Sequence, residues 1–334
     1  MPDFRLRDEF SAFHEIPHSD LLSVWASIVE SYSGLKLTRP GQDRLVALSG
    51  VADEFGRTLE LREEEELVGG HGQGSVGGGS VYLAGLWLPL ILGLLLWEKA
   101  GEEPHERLPA IPSYSWASVY TRVQWSSRIN PCNGNVDGDC KVVNVLYAQS
   151  REGVASIDDP SFANGPPDYR PPKDGARKAS ANRFPVLCLR TKLQPVILGN
   201  RFQTQDDRDL AARLTEQIKS GPGRGSYNPN RRKVASYLDR EHVAGWASLE
   251  HPEFQSDDQP SRVIFALQIS KNFAKSAPGL GHRMGVHAVF YVLFVRRVEG
   301  GPIDSYERIG VGALFGKDFE KQFQTAVTRE IRLL

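Results

Sequence analysis

The chain has 334 residues, 40% of them hydrophobic, which is enough to bury the core of two domains or of one large domain with loops. Lysine and arginine number 40 against 41 aspartates and glutamates, so the net charge is -1. Proteins that bind phosphate backbones usually carry a clear basic excess, and nucleic acid is therefore not expected as a partner.

The cysteines and the N-terminus indicate the compartment. Three cysteines, Cys132, Cys140 and Cys188, cannot form a closed set of disulfides because one is always left over, so they indicate reduced thiols. The first residues, Met-Pro-Asp-Phe-Arg-Leu-Arg, are charged and lack the apolar stretch of a secretory signal. The sequence predicts a cytoplasmic protein.

In chain order, two periodic segments come first. Apolar residues recur at three-and-four spacing over residues 19–33 and again over 41–59, which predicts two amphipathic helices. An acidic run, Glu63 to Glu66, precedes a glycine-serine run over residues 69–80. That run has no apolar surface to bury and is predicted to be a flexible loop.

Residues 81–97 are the most apolar segment of the chain. Their length is at the lower limit of a transmembrane helix, and Gly85, Pro89 and Gly93 interrupt them. We therefore predict a buried helix kinked near Pro89, with no membrane as a partner. The alternative is a membrane anchor.

After residue 104 the pattern changes to short runs of β-branched and aromatic residues separated by loops. Strands are predicted at 118–125, 141–148, 186–193, 263–269, 286–298 and 306–314, with a further short one at 245–249. Polar stretches at 151–183 and 220–233 are predicted to be loops or disordered inserts. The predicted fold is α+β: a helical region over 1–104, then an antiparallel β-rich domain, barrel- or sandwich-like, over 105–334.

Two glycine-containing strings resemble ligand-binding loops. Residues 72–77 fit G-x-G-x-x-G, but four glutamates precede them where a dinucleotide site needs a buried strand, and these carboxylates would repel pyrophosphate. Residues 133–139 resemble the start of a calcium loop, but the twelfth position is Asn144 and not glutamate. Both are interpreted as polar loops.

No other pattern predicts a catalytic residue, a cofactor or a metal. Cys132 and Cys140 lack the tight spacing of a zinc site, and Pro17 breaks the helix that would align His14 with His18. Neither a G-x-S-x-G elbow nor a P-loop string occurs. The basic run at 231–233 is interpreted as a solvated surface.

Three further groups of residues have a recognisable order and spacing. They are Trp25, Tyr32, Asp43, Arg44, Leu48 and Gly50, then Tyr82, Gly85, Leu86, Trp87 and Trp97, and then Pro112, Ser113, Ser115, Trp116, Ala117 and Ser118. Together with the C-terminal stretches 306–312 and 330–333, they resemble the region that follows the HET domain in fungal heterokaryon-incompatibility (HET) family proteins. In the third group, Tyr114 replaces one tryptophan of the family's Pro-Ser-Trp-Ser-Trp-Ala-Ser motif.

The resemblance implies a role in nonself recognition and programmed cell death after fusion of unlike fungal cells. None of the HET domain's own signature strings is found in the chain. The leading interpretation is therefore a non-catalytic regulatory or recognition region that works through protein partners. The alternative is an enzyme with a cryptic nucleotide or NAD site, because the HET domain has been likened to TIR-type folds.

The residues that carry the resemblance are interpreted as structural. Tyr82, Leu86, Trp87 and Trp97 would anchor a helix through their buried side chains. Trp116 stands between a proline-containing turn and the first predicted strand, so we expect it to hold the helical region against the sheet. The alternative is that these aromatic residues line a ligand groove.

Overall fold

The computed structural model describes residues 18–68, 81–100, 107–108, 111–125, 140–149, 153–156, 185–201, 231–238, 243–250, 252–254, 262–275 and 286–334. Over these residues the chain is a mixture of helix and strand, with a large, mainly antiparallel sheet of nine strands in the C-terminal part. This confirms the predicted α+β class and the antiparallel sheet.

Three helices open the described chain. Helix α1 spans His18–Ser33, α2 spans Pro40–Val46 and α3 spans Ser49–Val68. The helix predicted over 19–33 is confirmed, whereas the one predicted over 41–59 is in fact α2 and α3. The inward faces follow the predicted spacing, and their buried apolar side chains are Leu21, Leu22, Trp25, Ala26, Val29, Leu45, Leu48, Ala52, Phe55 and Leu59.

The prediction of a single kinked helix over 81–97 is wrong, although the segment is buried as predicted. Strands β1 (Tyr82–Leu83) and β2 (Leu86–Trp87) form a hairpin, because Ala84 and Gly85 both adopt positive φ, as a type I′ turn requires. A 3₁₀ turn, Leu88–Leu90, the one-turn helix α4, Ile91–Leu94, and strand β3, Trp97–Lys99, follow. No helix among the described residues is long and apolar enough to cross a membrane.

Strand β3 pairs with β4, Val123–Trp125, and not with the large sheet. The strand predicted over 118–125 is thus shorter, because a 3₁₀ turn, Trp116–Ser118, occupies its start. The described residues between His18 and Trp125 are called the N-terminal part below.

The large sheet contains the remaining strands. They are β5 (Lys141–Gln149), β6 (Gly153–Ser156), β7 (Val186–Arg201), β8 (Arg231–Ser236), β9 (Val243–Leu249), β10 (Arg262–Lys275), β11 (Val286–Arg297), β12 (Ser305–Phe315) and β13 (Thr328–Leu333), with helix α5 (Lys317–Thr325) before β13. The strands predicted at 141–148, 186–193, 245–249, 263–269, 286–298 and 306–314 are confirmed, with different ends.

Two strands lie where loops were predicted. Strand β6 falls in the 151–183 insert and β8 begins in the 220–233 insert, so the loop prediction is wrong at these residues. The other residues of both inserts, the glycine-serine run over 69–80 and the string at 133–139 lie outside the described residues.

Six strands of the sheet pair in a closed ring, in the order β7, β10, β11, β12, β9, β8 and back to β7. Strand β11 is buried on both faces. Its alternate residues from Ala288 to Phe294 join an apolar cluster that draws on all six ring strands and on Phe319 and Phe323 of α5. Those from Val289 to Val295 join a second cluster, which includes the core of the N-terminal part. This arrangement explains the uninterrupted apolar run of β11.

Candidate functional site

The carbonyl of Gly85 lies at the centre of the residues that carry the resemblance. The indole N–H groups of Trp25 and Trp116 both donate to it, at 3.1 Å and 3.0 Å. The hydroxyl of Ser115 donates to the neighbouring carbonyl of Ala84 at 2.5 Å. Because Gly85 has a φ of +96°, this turn requires a residue without a side chain. The hairpin therefore serves as the shared acceptor for α1 and for the 115–116 segment.

An aromatic cluster surrounds this turn. The ring centroid of Trp25 lies 5.0 Å from that of Phe55, 5.9 Å from that of Tyr82 and 5.8 Å from that of Trp87. These separations and tilts are those of stabilising aromatic pairs. Trp25 has no exposed surface, so the cluster is the core of the N-terminal part and not the wall of a groove.

Arg44 and Tyr32 complete the surroundings of Trp116. Tyr32 of α1 contacts the Trp116 ring edge-on at 6.0 Å, and the Arg44 guanidinium lies 5.3 Å from its centroid. Arg44 also donates to the carbonyl of Thr121 at 2.8 Å. Burial lowers the pKa of Arg44 to about 10, while nearby Tyr32 opposes the change. The carbonyl of Asp43 accepts a long hydrogen bond of 3.4 Å from the hydroxyl of Tyr32.

The other residues that carry the resemblance have local roles. Pro112 accepts a hydrogen bond from the Ser115 amide at 3.0 Å, and the hydroxyl of Ser118 donates to the Ser115 carbonyl at 2.7 Å. The side chains buried in the apolar core are those of Leu48, Leu86 and Ala117. Gly50 lies in the first turn of α3, where an added Cβ would meet nothing within 4 Å.

Gly85→Ala is expected to lower the free energy of unfolding by about 2 kcal/mol, because it combines a strained positive φ with overpacking. A Cβ at this position would overlap Nε1 of Trp116 and displace the acceptor of both indoles. Urea unfolding followed by circular dichroism measures the change. Gly50→Ala is the matched control, and we expect it to raise the free energy of unfolding by no more than about 1 kcal/mol. Equal effects of the two substitutions would contradict this role of Gly85.

A second group of residues lies at the junction between the N-terminal part and the large sheet. Arg308 of β12 is fully buried and forms a bidentate ion pair with Glu250. Its Nε donates to Oε2 at 3.1 Å and its Nη2 donates to Oε1 at 2.5 Å. Its other donors reach the carbonyls of Leu95 and Trp97. The guanidinium stacks over the Trp97 ring at 3.6 Å. One arginine thus links the sheet to the segment around β3.

Three more charged side chains extend this group. Arg231 of β8 pairs with Glu98 of β3 at 3.1 Å and lies 3.7 Å over the ring of Trp246. Arg107 lies 3.7 Å from Oε2 of Glu250 and donates to the carbonyl of Arg308 at 2.5 Å. Glu98, Arg231 and Glu250 are nearly or fully inaccessible to solvent.

Desolvation dominates the electrostatics of this group. Burial raises the pKa of the Glu250 carboxyl, and the guanidinium of Arg308 opposes the rise. Burial likewise lowers the pKa of Arg308 and of Arg107, against the attraction of Glu250. Both oxygens of Glu250 face guanidinium groups, so the arrangement is suited to holding two segments together and not to transferring protons.

That Trp116 holds the helical region against the sheet stays a prediction. Its ring contacts Gly85, Tyr32 and Arg44 of the N-terminal part, and the strand after it pairs with β3. Its neighbours form hydrogen bonds toward the sheet. The hydroxyl of Ser113 accepts from the amide of Arg308 at 2.9 Å, and the hydroxyl of Tyr114 donates to the carbonyl of Pro185 at 2.8 Å.

The sequence pattern does not predict a site at the buried charges of the junction. The prediction of a solvated surface at 231–233 is wrong for Arg231 and Arg232, which are both 5% exposed in strand β8. The sequence contains a signal for the burial of two of these charges, because Glu98 directly follows the apolar run at 81–97 and Arg308 lies within the strand predicted at 306–314. Charged residues at such positions are seldom buried without partners.

Among the described residues, no group of three or more histidine, cysteine, aspartate or glutamate side chains is placed to hold a metal. Cys140 and Cys188 are both buried, and burial raises the pKa of the Cys188 thiol. No family model, curated protein or solved structure matches the chain significantly.

Proposed function

We propose that the chain is a non-catalytic regulatory or recognition region of a fungal incompatibility-type protein, which acts through protein partners in the cytoplasm. The proposal starts from the resemblance of residues 20–130 and of the C-terminal stretches to the region after the HET domain. The observation that carries its non-catalytic aspect is the internal hydrogen bonding of three indoles in these motifs. Trp25, Trp97 and Trp116 each donate their indole N–H to a buried carbonyl.

Residues that bind a ligand present their polar atoms to a cleft. The hydroxyl of Ser115, the hydroxyl of Ser118 and the guanidinium of Arg44 instead bond to backbone carbonyls within the N-terminal part. These contacts support a scaffold role for the motifs, and we propose that recognition takes place at the outer surface. The closed ring of strands supports a barrel-like form of the β-rich domain over a sandwich-like one.

Expression in a filamentous fungus tests the proposal. The full chain is expressed alone, fused behind a HET domain, and fused in the same way as the Trp116→Ala variant, and cell death is scored by uptake of a vital dye. We expect the chain alone to leave viability unchanged and the fusion to change the frequency of death relative to the HET domain alone. The variant fusion should behave like the HET domain alone, because its N-terminal part is destabilised.

Two outcomes would contradict the proposal. If the chain alone kills cells and lowers their NAD content, the enzyme alternative is favoured. Saturable heat in a calorimetric titration with NAD, lost on Gly74→Val, would place a nucleotide site in the string at 72–77, which lies outside the described residues.

A further inference from the structure

We propose that the buried charges at the junction form a reversible latch, through which the N-terminal part leaves the large sheet and returns to it while the sheet stays folded. The latch comprises Glu98 and Arg107 of the N-terminal part with Arg231, Glu250 and Arg308 of the sheet. This inference rests on the contacts at the junction and is independent of the proposed family.

The contacts that opening would break cross the junction, and they comprise apolar contacts of the cluster that the N-terminal core shares with the sheet and a set of charged contacts. Arg231 pairs across it with Glu98, and Arg107 pairs across it with Glu250. Arg308 reaches across it to the carbonyls of Leu95 and Trp97 and to the ring of Trp97. Each of these groups can exchange its partner for water when the two parts separate.

The contacts that opening would preserve lie on the sheet side. Arg308 lies in β12 and Glu250 directly follows β9, so their bidentate pair stays intact on the sheet side and neither charge is left alone. Arg231 likewise keeps its position over the ring of Trp246 of β9. The sheet therefore retains an ordered set of donors onto which β3 can dock again, and this favours a reversible opening over a collapse.

The charges also make this junction easier to open than an apolar junction of the same size. Burial of an ion pair removes the hydration of both ions, and the attraction between the charges offsets this loss only in part. Both ions regain their hydration when water enters the junction. The side chains of Glu98 and Arg231 are 2% and 6% exposed, so nearly all of their hydration is lost in the closed form. Among the described residues, no group accepts a hydrogen bond from the buried Nε atoms of Arg107 and Arg231, and water would satisfy both on opening.

Hydrogen exchange of the full chain, followed by mass spectrometry at a series of low denaturant concentrations, tests the latch. Two amides report on the N-terminal part and its junction: that of Ala100, bonded to the Arg122 carbonyl, and that of Ser113, bonded to the Leu334 carbonyl. We expect the free energy of the opening that exposes these two amides to depend less steeply on denaturant concentration than that of the β10–β11 amides. A single denaturant dependence for both sets would overturn the proposal.

Two variants sharpen the test. Glu98→Ala leaves Arg231 without its carboxylate and should speed exchange in the N-terminal part on the order of 100-fold, with the β10–β11 amides unchanged. The double variant Glu98→Leu with Arg231→Met removes the buried pair and should exchange more slowly than Glu98→Ala. The control is Glu54→Ala, which removes a surface pair with Arg57 in α3.

Equal acceleration in both parts by Glu98→Ala would overturn the latch, because it would mean that the junction opens only with global unfolding. So would a double variant that exchanges as fast as Glu98→Ala, because the unpaired charge would then not drive opening. If Glu98→Ala does not fold, the denaturant dependence of the wild type decides the question.

Discussion

Trp116→Ala is expected to lower the free energy of unfolding by about 3–5 kcal/mol, since truncation of a buried tryptophan leaves a cavity that the surroundings fill only in part. Trp116 has no exposed surface. The variant loses the hydrogen bond to the Gly85 carbonyl, the edge-on contact with Tyr32 and the stacking of Arg44. A loss of this size is a large fraction of the stability of an ordinary domain.

Urea unfolding of the wild type and the variant measures this loss, and two controls separate its causes. Trp116→Phe keeps most of the ring volume and removes the indole N–H, so it should cost about 0.5–1.5 kcal/mol for the hydrogen bond in addition to its smaller loss of volume. Tyr120→Ala removes an aromatic side chain that is 42% exposed, and it should change stability by no more than about 0.5 kcal/mol. An unchanged unfolding curve for Trp116→Ala would contradict the structural role of this side chain.

Glu250→Ala is expected to lower the free energy of unfolding by about 3–5 kcal/mol, because it leaves buried arginines without their carboxylate. Arg308 has no exposed surface and Arg107 has little, so neither guanidinium can recover its hydration in the folded chain. The cost arises mainly from the uncompensated charge, and only secondarily from the lost side-chain volume.

The sequence offers a matched control for this substitution three residues further on. Glu253 is 51% exposed and pairs with Arg296 at 2.7 Å, so Glu253→Ala should cost less than about 1 kcal/mol. The double variant Glu250→Leu with Arg308→Met should cost less than Glu250→Ala alone, because no charge is left unpaired. A double variant with the summed cost of its two single substitutions would show that the pair contributes no coupling energy.

The sequence by itself determined those elements whose pattern is local. Helix α1 follows from apolar residues at three-and-four spacing, and the strands β10, β11 and β12 follow from runs of β-branched and aromatic residues. In each of these elements the side chains of near neighbours suffice to indicate the period. The resemblance to the HET family also rests on order and spacing, and it stays a prediction.

Tertiary structure decided what depends on residues that are distant in the chain. The apolar run at 81–97 is compatible with a buried helix as well as with a buried hairpin. The folded chain forms the hairpin, in which the Gly85 carbonyl accepts hydrogen bonds from two indole groups of other segments. The basic run at 231–233 has the composition of a solvated loop. Arg231 is nevertheless buried, because Glu98, 133 positions away in the chain, provides its counter-charge. A local pattern gives the period of an element, whereas the burial of a charge depends on a partner that only folding brings within reach.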